Sequence, residues 1–387
     1  GLVLINALSC KRDDFLDTTN KANLDDGTMW ISEKNADIFL NGCYAELYPT
    51  GANWPDTQMD NFSDDAHARV YFGSYAWKEG TIDISLRPGE SWAAQGPSNG
   101  NNSWQKTYAN VRNLNSFIEN VRSNAQNLSA EYIAKRIDEA RFLRAYFYSE
   151  LFMRVGGVVI DTVVLSRSSS TLEELQRPRN TFEETFSFII GELDEILNNG
   201  NLPIKYEISD AEAGRATLGA TLILKGWLQL FAASPAYNAS SPAVADPGNL
   251  QHFSSGDPAR WAAAAATNKR FIDTWGHKGE GKYQLFPNMV NFWREENEYN
   301  SEVVWDRQFV PVTMPNFYGA YGGPANLDGI INVDWGEYQP TQSIIDDFQM
   351  ANGKNITDPS SGYNPQNPYA GREKRFYDFI CYDGAPY

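Results

Sequence analysis

Paired carboxylates are the first residues in this chain whose types could do chemistry. Asp64-Asp65, Glu295-Glu296 and Asp346-Asp347 each set two acids side by side, and glycoside hydrolysis needs two carboxyl groups flanking one scissile bond. Sequence neighbours point in different directions on a helix or a strand, so adjacency does not aim both members of a pair at one sugar. With 49 acidic residues in 387, such pairs arise by chance, and solvated acidic surface is what they indicate on their own. His67, His252 and His277 lie far apart without companions, and no G-x-S-x-G elbow accompanies them. The sequence has no P-loop, no G-x-G-x-x-G, no H-E-x-x-H and no zinc-spaced Cys/His cluster. No enzyme activity, cofactor or metal is expected.

Aromatic residues in polar, glycine-rich stretches are the other chemical feature. "SDDAHARVYFGSYAWKEG" carries Tyr71, Phe72, Tyr75 and Trp77 beside Asp64, Asp65 and Arg69. "MPNFYGAYGGPANLDGIINVDWGEY" carries Phe317, Tyr318, Tyr321 and Trp335 among glycines. A flat aromatic face is an apolar platform of low conformational entropy, suited to the C–H face of a sugar. Nearby Asp, Asn and Arg answer hydroxyls in fixed directions. The same rings could instead pin their loops to a scaffold, and composition leaves both readings open.

The chain as a whole narrows the partners. Its hydrophobic content of 42% and charged content of 21% are those of a folded globular chain. A net charge of −17 opposes docking on nucleic acid or on anionic lipid. Three cysteines, Cys10, Cys43 and Cys381, make no disulfide framework, and Cys43 sits on a helical face as a small buried hydrophobe.

Helices must position these loops. In "SAEYIAKRIDEARFLRAYFYSELFMRVGG" apolar residues recur at three and four, so that the helix is apolar nearly all round. Ser129 is its expected N-cap and Gly156-Gly157 its stop. Thr181 with Glu184 reads as a capping box opening the next helix. "DAEAGRATLGATLILKGWLQLFAAS" is expected to start near Ser209 or Asp210 and to stop at Pro235. "PARWAAAAATNKRFIDTW", "SEKNADIFLNGCYAELY" and "NSWQKTYANVRNLNSFIENVRSN" complete the helical set. Leu218-Gly219 with Leu222 is similar to the L-G-x-x-Y core of a tetratricopeptide helix, where the glycine admits a partner helix. The long connections 53–100, 235–257 and 311–340 are candidates for function.

At the N-terminus, Leu2-Val3-Leu4-Ile5 runs through Ala7-Leu8-Ser9 into Cys10 and then Lys11, Arg12, Asp13 and Asp14. The apolar run is far short of the roughly 20 residues that span a bilayer. It reads either as a buried strand with a core cysteine or as the tail of a lipoprotein signal cut before Cys10. Ala7 stands where such a signal usually has Leu. The chain starts at Gly1 and not Met, as expected if the signal's charged start is missing.

Four stretches, in order, together resemble the SusD/RagB family of surface lipoproteins. They are "SCKRDDFLD", "EARFLRAYFYSELFMRVGGVVI" with its A-x-F-L-R-A run and G-G-V strand, "PTQSIIDDFQMANGK", and "GREKRFYDFICYDGA" ending in a Y-D-G strand. The resemblance implies a mainly α fold, a tetratricopeptide-like scaffold of helical pairs (mainly 103–275) with long irregular loops and a few short strands. It implies residues 1–9 as signal remnant, Cys10 as the lipidated residue, and 10–387 as one SusD-like domain that lacks the family's further C-terminal helical region. It implies a non-catalytic protein, anchored by lipid at the outer-membrane surface, that delivers an oligo- or polysaccharide to a SusC-like TonB-dependent transporter. Carried over by position, the ligand-binding residues are Asp64, Asp65, Arg69, Tyr71, Trp77, Tyr318, Tyr321 and Trp335. Two alternatives stand beside this reading: a helical-repeat adhesion or structural protein that binds a protein, and a secreted glycoside hydrolase.

Cys10 is tested directly. Behind an intact signal, the chain should take up a fatty-acid analogue and fractionate with membranes, and Cys10→Ala should be unlabelled and soluble. Membrane retention of the mutant would rule the anchor out.

Overall fold

The structure is a computed structural model that describes residues 26–47, 63–67, 80, 103–241, 245–292, 294–308 and 339–385. A short helix α1 (Asp26–Met29) precedes α2 (Glu33–Ala45). The scaffold continues with α3 (Ser103–Ser123), α4 (Ala130–Val155), a short α5 (Leu172–Leu175), α6 (Phe182–Asn199), α7 (Leu218–Ala233) and α8 (Ala259–Thr274). Two strands, β1 (Ala66–His67) and β2 (Gln339–Pro340), form one antiparallel pair. The chain closes with α9 (Gln342–Asp347) and α10 (Lys374–Phe379). The fold is mainly helical with a few short strands, as expected.

Helix boundaries follow local signals where those are complete. The Ser129 side chain accepts from the Tyr132 N–H and opens α4, and the α4 cap Gly156 (φ 77°) donates its N–H to the Phe152 carbonyl. Thr181 and Glu184 make both halves of a capping box at α6. Such a cap stabilises a helix by about 1 kcal/mol. Helix α2 packs on α3 and α4, α4 on α6, α6 on α7, and α7 on α8, each burying one stripe. Leu114, Phe117 and Val121 from α3 and Phe142, Phe147, Tyr148, Leu151 and Phe152 from α4 form one core with Phe182, Ile189 and Leu193 from α6. Cys43 is buried in it, as expected. Burial, and then Glu46, push its thiol up to about 12, so it is inert.

Helix α7 starts at Leu218, eight residues later than the expected Asp210. Residues 208–215 form turns instead, and long-range contacts explain why. Glu212 accepts from Lys135 and Arg136 on α4. The Gly214 carbonyl, which a longer helix would give to Leu218, accepts from Trp305 Nε1 at 3.0 Å. Leu218 and Gly219 donate their N–H groups to Pro203 (2.9 Å) and Ile204 (3.1 Å). The Thr217 side chain then caps the helix. Gly219 admits the Tyr283 ring and not a partner helix: a Cβ there would lie 2.1 Å from the Tyr283 hydroxyl. Close helix approach occurs two turns on, at Gly226, where a Cβ would meet Asn268 of α8 at 2.8 Å.

The expected G-G-V strand is also corrected. Residues 158–165 run without ladder pairing, and side chains serve much of their backbone. Tyr108 donates to the Val159 carbonyl (2.7 Å), Asn115 to those of Asp161 (3.1 Å) and Val163 (3.3 Å), and the Asp161 N–H donates to the Tyr148 hydroxyl (2.7 Å). The expected Y-D-G strand is likewise a turn at Asp383-Gly384. The late helix starts after Thr341 because Pro340 belongs to β2.

The scaffold's polar centre is Glu139, with a fully buried side chain. It accepts from Arg136, from Arg215 (2.9 Å) and from the Tyr44 hydroxyl (2.9 Å). Arg136 also donates to Asp37 (2.8 and 3.0 Å) and to Glu212. Burial works to raise Glu212, but hydrogen bonds from Lys135 and Arg136 outweigh it and hold the carboxyl at about 2 against an ordinary 4.5. A depressed carboxylate stabilises the fold above its unfolded value and loses that contribution as pH falls through the folded value. The melting-temperature gap between the parent chain and Glu212→Gln should therefore be full above about pH 5 and close between pH 4.5 and 2. A gap that stays constant across this window would contradict the assignment.

Candidate functional site

The residues that flank segments 48–62 and 309–338 are tied together at both ends. Where they diverge from the scaffold, Arg307 donates to the Leu47 carbonyl at 2.6 Å. Leu47 and Gln308 are the last described residues before 48–62 and 309–338. Where the same segments return, β1 pairs with β2 in the register Ala66↔Pro340 and His67↔Gln339. Thr341 completes this second clamp. Its N–H donates to the Asp65 carbonyl at 2.9 Å, and its hydroxyl donates to the Asp64 carbonyl. The same hydroxyl oxygen accepts from the Ile344 N–H at 3.4 Å as the N-cap of α9.

The clamp uses backbone on the Asp64-Asp65 side, and that leaves the side chains available. Both residues are exposed, and the Asp65 N–H is met locally by the Ser63 hydroxyl at 3.0 Å. A carboxylate in water presents about four acceptor sites, which suits sugar hydroxyls. A two-residue ladder is weak by itself, and proline has no N–H to give it. Thr341 supplies what the short strands lack.

Of the expected ligand-binding residues, Asp64 and Asp65 lie at the clamp. Arg69, Tyr71, Trp77, Tyr318, Tyr321 and Trp335 lie outside the described residues, as does Cys10. Sequence reasoning missed Thr341, Arg307 and the His67↔Gln339 pairing. Thr341 did carry a signal, because threonine is a favoured N-cap residue and stands just before a possible helix start.

The other acid pairs, Glu295-Glu296 and Asp346-Asp347, are exposed. A cleft of about 300 Å³ beside α2 and α4 is lined by Glu33, Asp37, Tyr132, Lys135, Arg136 and Glu212. Its polar atoms are engaged with one another: Tyr132 donates to Asp37 at 2.9 Å, and the Ser129 hydroxyl to Glu33 at 2.6 Å. That is scaffold chemistry. Among the described residues no group of three or more His, Cys, Asp or Glu could hold a metal, and no helix is long and apolar enough to cross a membrane.

Comparison with known proteins agrees with this architecture. The model of the SusD family matches residues 301–387. A SusD-like protein of Bacteroides ovatus is 24% identical over 294 residues, covering 73% of this chain and 45% of that protein. The crystal structure of a SusD-like carbohydrate binding protein from Bacteroides fragilis superposes with a TM-score of 0.67 at 18% identity, over 93% of this chain and 61% of that one. Surface glycan-binding protein A from Bacteroides uniformis superposes with a TM-score of 0.56 at 15% identity, over 81% and 60%. The chain thus spans about half the length of the curated relative and about three fifths of these structures. Its mainly helical fold is the one these SusD-like structures share, and residues 301–387 match the SusD family's model.

Thr341→Val removes the hydroxyl and keeps the N–H. It should cost about 0.5–2 kcal/mol by the measure of a lost N-cap, and Thr341→Ser should restore most of it. Urea unfolding of the three proteins checks this. Equal stability of all three would mean that the threonine clamp contributes nothing.

Proposed function

We propose that this chain is the glycan-holding part of a non-catalytic, lipid-anchored surface protein of the outer membrane. It binds an oligo- or polysaccharide over the loops that meet at β1 and β2 and passes it to a SusC-like TonB-dependent transporter. The observation that carries this reading is the double clamp. Leu47 with Arg307, and Asp64–His67 with Gln339–Thr341, join the ends of two sequence-distant loops. Tyr318, Tyr321 and Trp335 belong to the second of these loops, and Arg69, Tyr71 and Trp77 follow β1 directly in sequence. A rigid base under aromatic-rich loops is how a scaffold presents platforms to a sugar. The carbohydrate- and glycan-binding proteins that share the fold support binding without catalysis.

The helical side supports a protein partner. Helices α7 and α8 expose Trp227 at 50%, Leu230 at 46% and Trp261 at 46%. Residues 261–268 of α8 carry no charge, and Lys225, the one charged residue of α7, pairs with Asp194. Exposed tryptophans on two packed helices suit the apolar part of a protein interface.

Trp335 gives the test, since it sits four residues before β2 between Asp334 and Gly336. Trp335→Ala should weaken glycan binding by about 1–3 kcal/mol, the scale of a central aromatic contact, with little change in melting temperature. A buried tryptophan would instead cost about 3–5 kcal/mol of stability. Affinity electrophoresis against a glycan panel and one melting curve separate the outcomes. A large fall in melting temperature with unchanged affinity would refute the platform.

A further inference from the structure

We infer that the backbone edge at Thr162–Val164 is a second binding site, which takes an extended, uncharged segment of a partner protein as an added strand. In an extended chain successive residues turn their backbone groups to opposite sides, and 158–165 use both. On one side α3 and α4 hold the odd residues. Tyr108 donates to the Val159 carbonyl, Asn115 to those of Asp161 and Val163, and Arg112 to that of Leu165, while the Tyr148 hydroxyl accepts the Asp161 N–H. On the other side the returning segment 177–185 holds the even ones. The Val158 N–H donates to Thr185 Oγ1 at 3.1 Å, and the Val158 carbonyl accepts from the Asn180 N–H at 2.9 Å. The Ile160 N–H donates to Asn180 Oδ1 at 3.1 Å, and its carbonyl accepts from Arg177 at 3.0 Å.

That second line of partners stops at Ile160. Thr162 and Val164 come next on the same side, and among the described residues nothing accepts their N–H groups or donates to their carbonyls. An N–H and a carbonyl repeated two residues apart are the groups with which another backbone pairs, and strand addition draws its affinity from them. Val163 is exposed between the two, so a guest residue opposite it gains an apolar cross-strand neighbour. The edge borders a cleft of about 400 Å³ whose lining includes Ile118, Glu119 and Arg122 of α3. The charges of Glu119 and Arg122 cancel, and 162–166 carry none. An uncharged, apolar strand therefore meets no opposing field there.

The probe is an uncharged, capped peptide of alternating valine and threonine with a fluorescent label, titrated by anisotropy beside its analogue with N-methylated central amides. The parent chain should bind the unmethylated peptide roughly tenfold more tightly or better, because backbone bonds carry the recognition. Hydrogen exchange in the complex should slow across 158–170 and stay unchanged across 63–67. Val164→Pro removes an N–H that has no partner among the described residues. It should weaken the peptide by a similar factor with little change in melting temperature. The methylated comparison uses the parent chain and stands even if the proline variant misfolds. Equal binding of the two peptides, binding of neither, or protection that bypasses 158–170 would overturn the strand site. Displacement of the peptide by laminarin would overturn it too, by making the cleft a sugar site. Dimerisation that Val164→Pro abolishes would do the same, by placing a second copy of the chain at the edge.

Discussion

A carboxylate with no access to water has to be given donors, and Glu139 is that carboxylate here. An isolated buried charge is prohibitive, and removing one partner of a buried pair costs about 3–5 kcal/mol. Three elements supply the donors: Arg136 from α4 itself, Arg215 from the turn before α7, and the Tyr44 hydroxyl from α2. Burial and then Glu139 hold the Tyr44 phenol well above its ordinary range, so it remains a donor. The same hydroxyl accepts from the Ala216 N–H at 2.9 Å. One buried charge thus ties α2, α4 and the start of α7 together.

The loops hang from this arrangement. Trp305 packs edge-on to Phe142 (4.9 Å between centroids) and Tyr146 (5.4 Å) while its indole N–H holds the Gly214 carbonyl. Two residues later Arg307 reaches Leu47, at the end of the α2 region that Tyr44 anchors. The entry clamp is therefore continuous with the buried charge network. The return clamp is independent of it. Beyond Thr341, Arg372 is buried and donates to the carbonyls of Pro368 (3.1 Å), Phe348 (2.6 Å) and Ile345, with Phe376 stacked 4.9 Å beneath it. The two clamps thus belong to different parts of the fold, the helical scaffold and this smaller arginine-centred unit.

What was legible in the sequence was whatever a few neighbouring residues decide. Ser129, Thr181 with Glu184, and Gly156 mark helix ends through bonds three or four residues away, and the three/four spacing of α4 gives its burial directly. The start of α7 was illegible because Trp305, Lys135 and Pro203, distant in sequence, claim the groups that a longer helix would use. The stretch after Gly157 reads as a strand, yet its partners are tyrosine and asparagine side chains from α3 and α4, which no period of two reveals. At the site, Asp64 and Asp65 stood out by type. The pairing of His67 with Gln339 joins residues 272 positions apart, and two-residue strands leave no periodic trace.

The most direct measurement is hydrogen–deuterium exchange of the chain with and without a neutral oligosaccharide that it binds. Protection should rise in peptides covering 63–77 and 311–341, including the β1–β2 amides, and stay unchanged across α3, α4 and α6. Protection confined to the helical scaffold, with both loops and the ladder unaffected, would contradict the site.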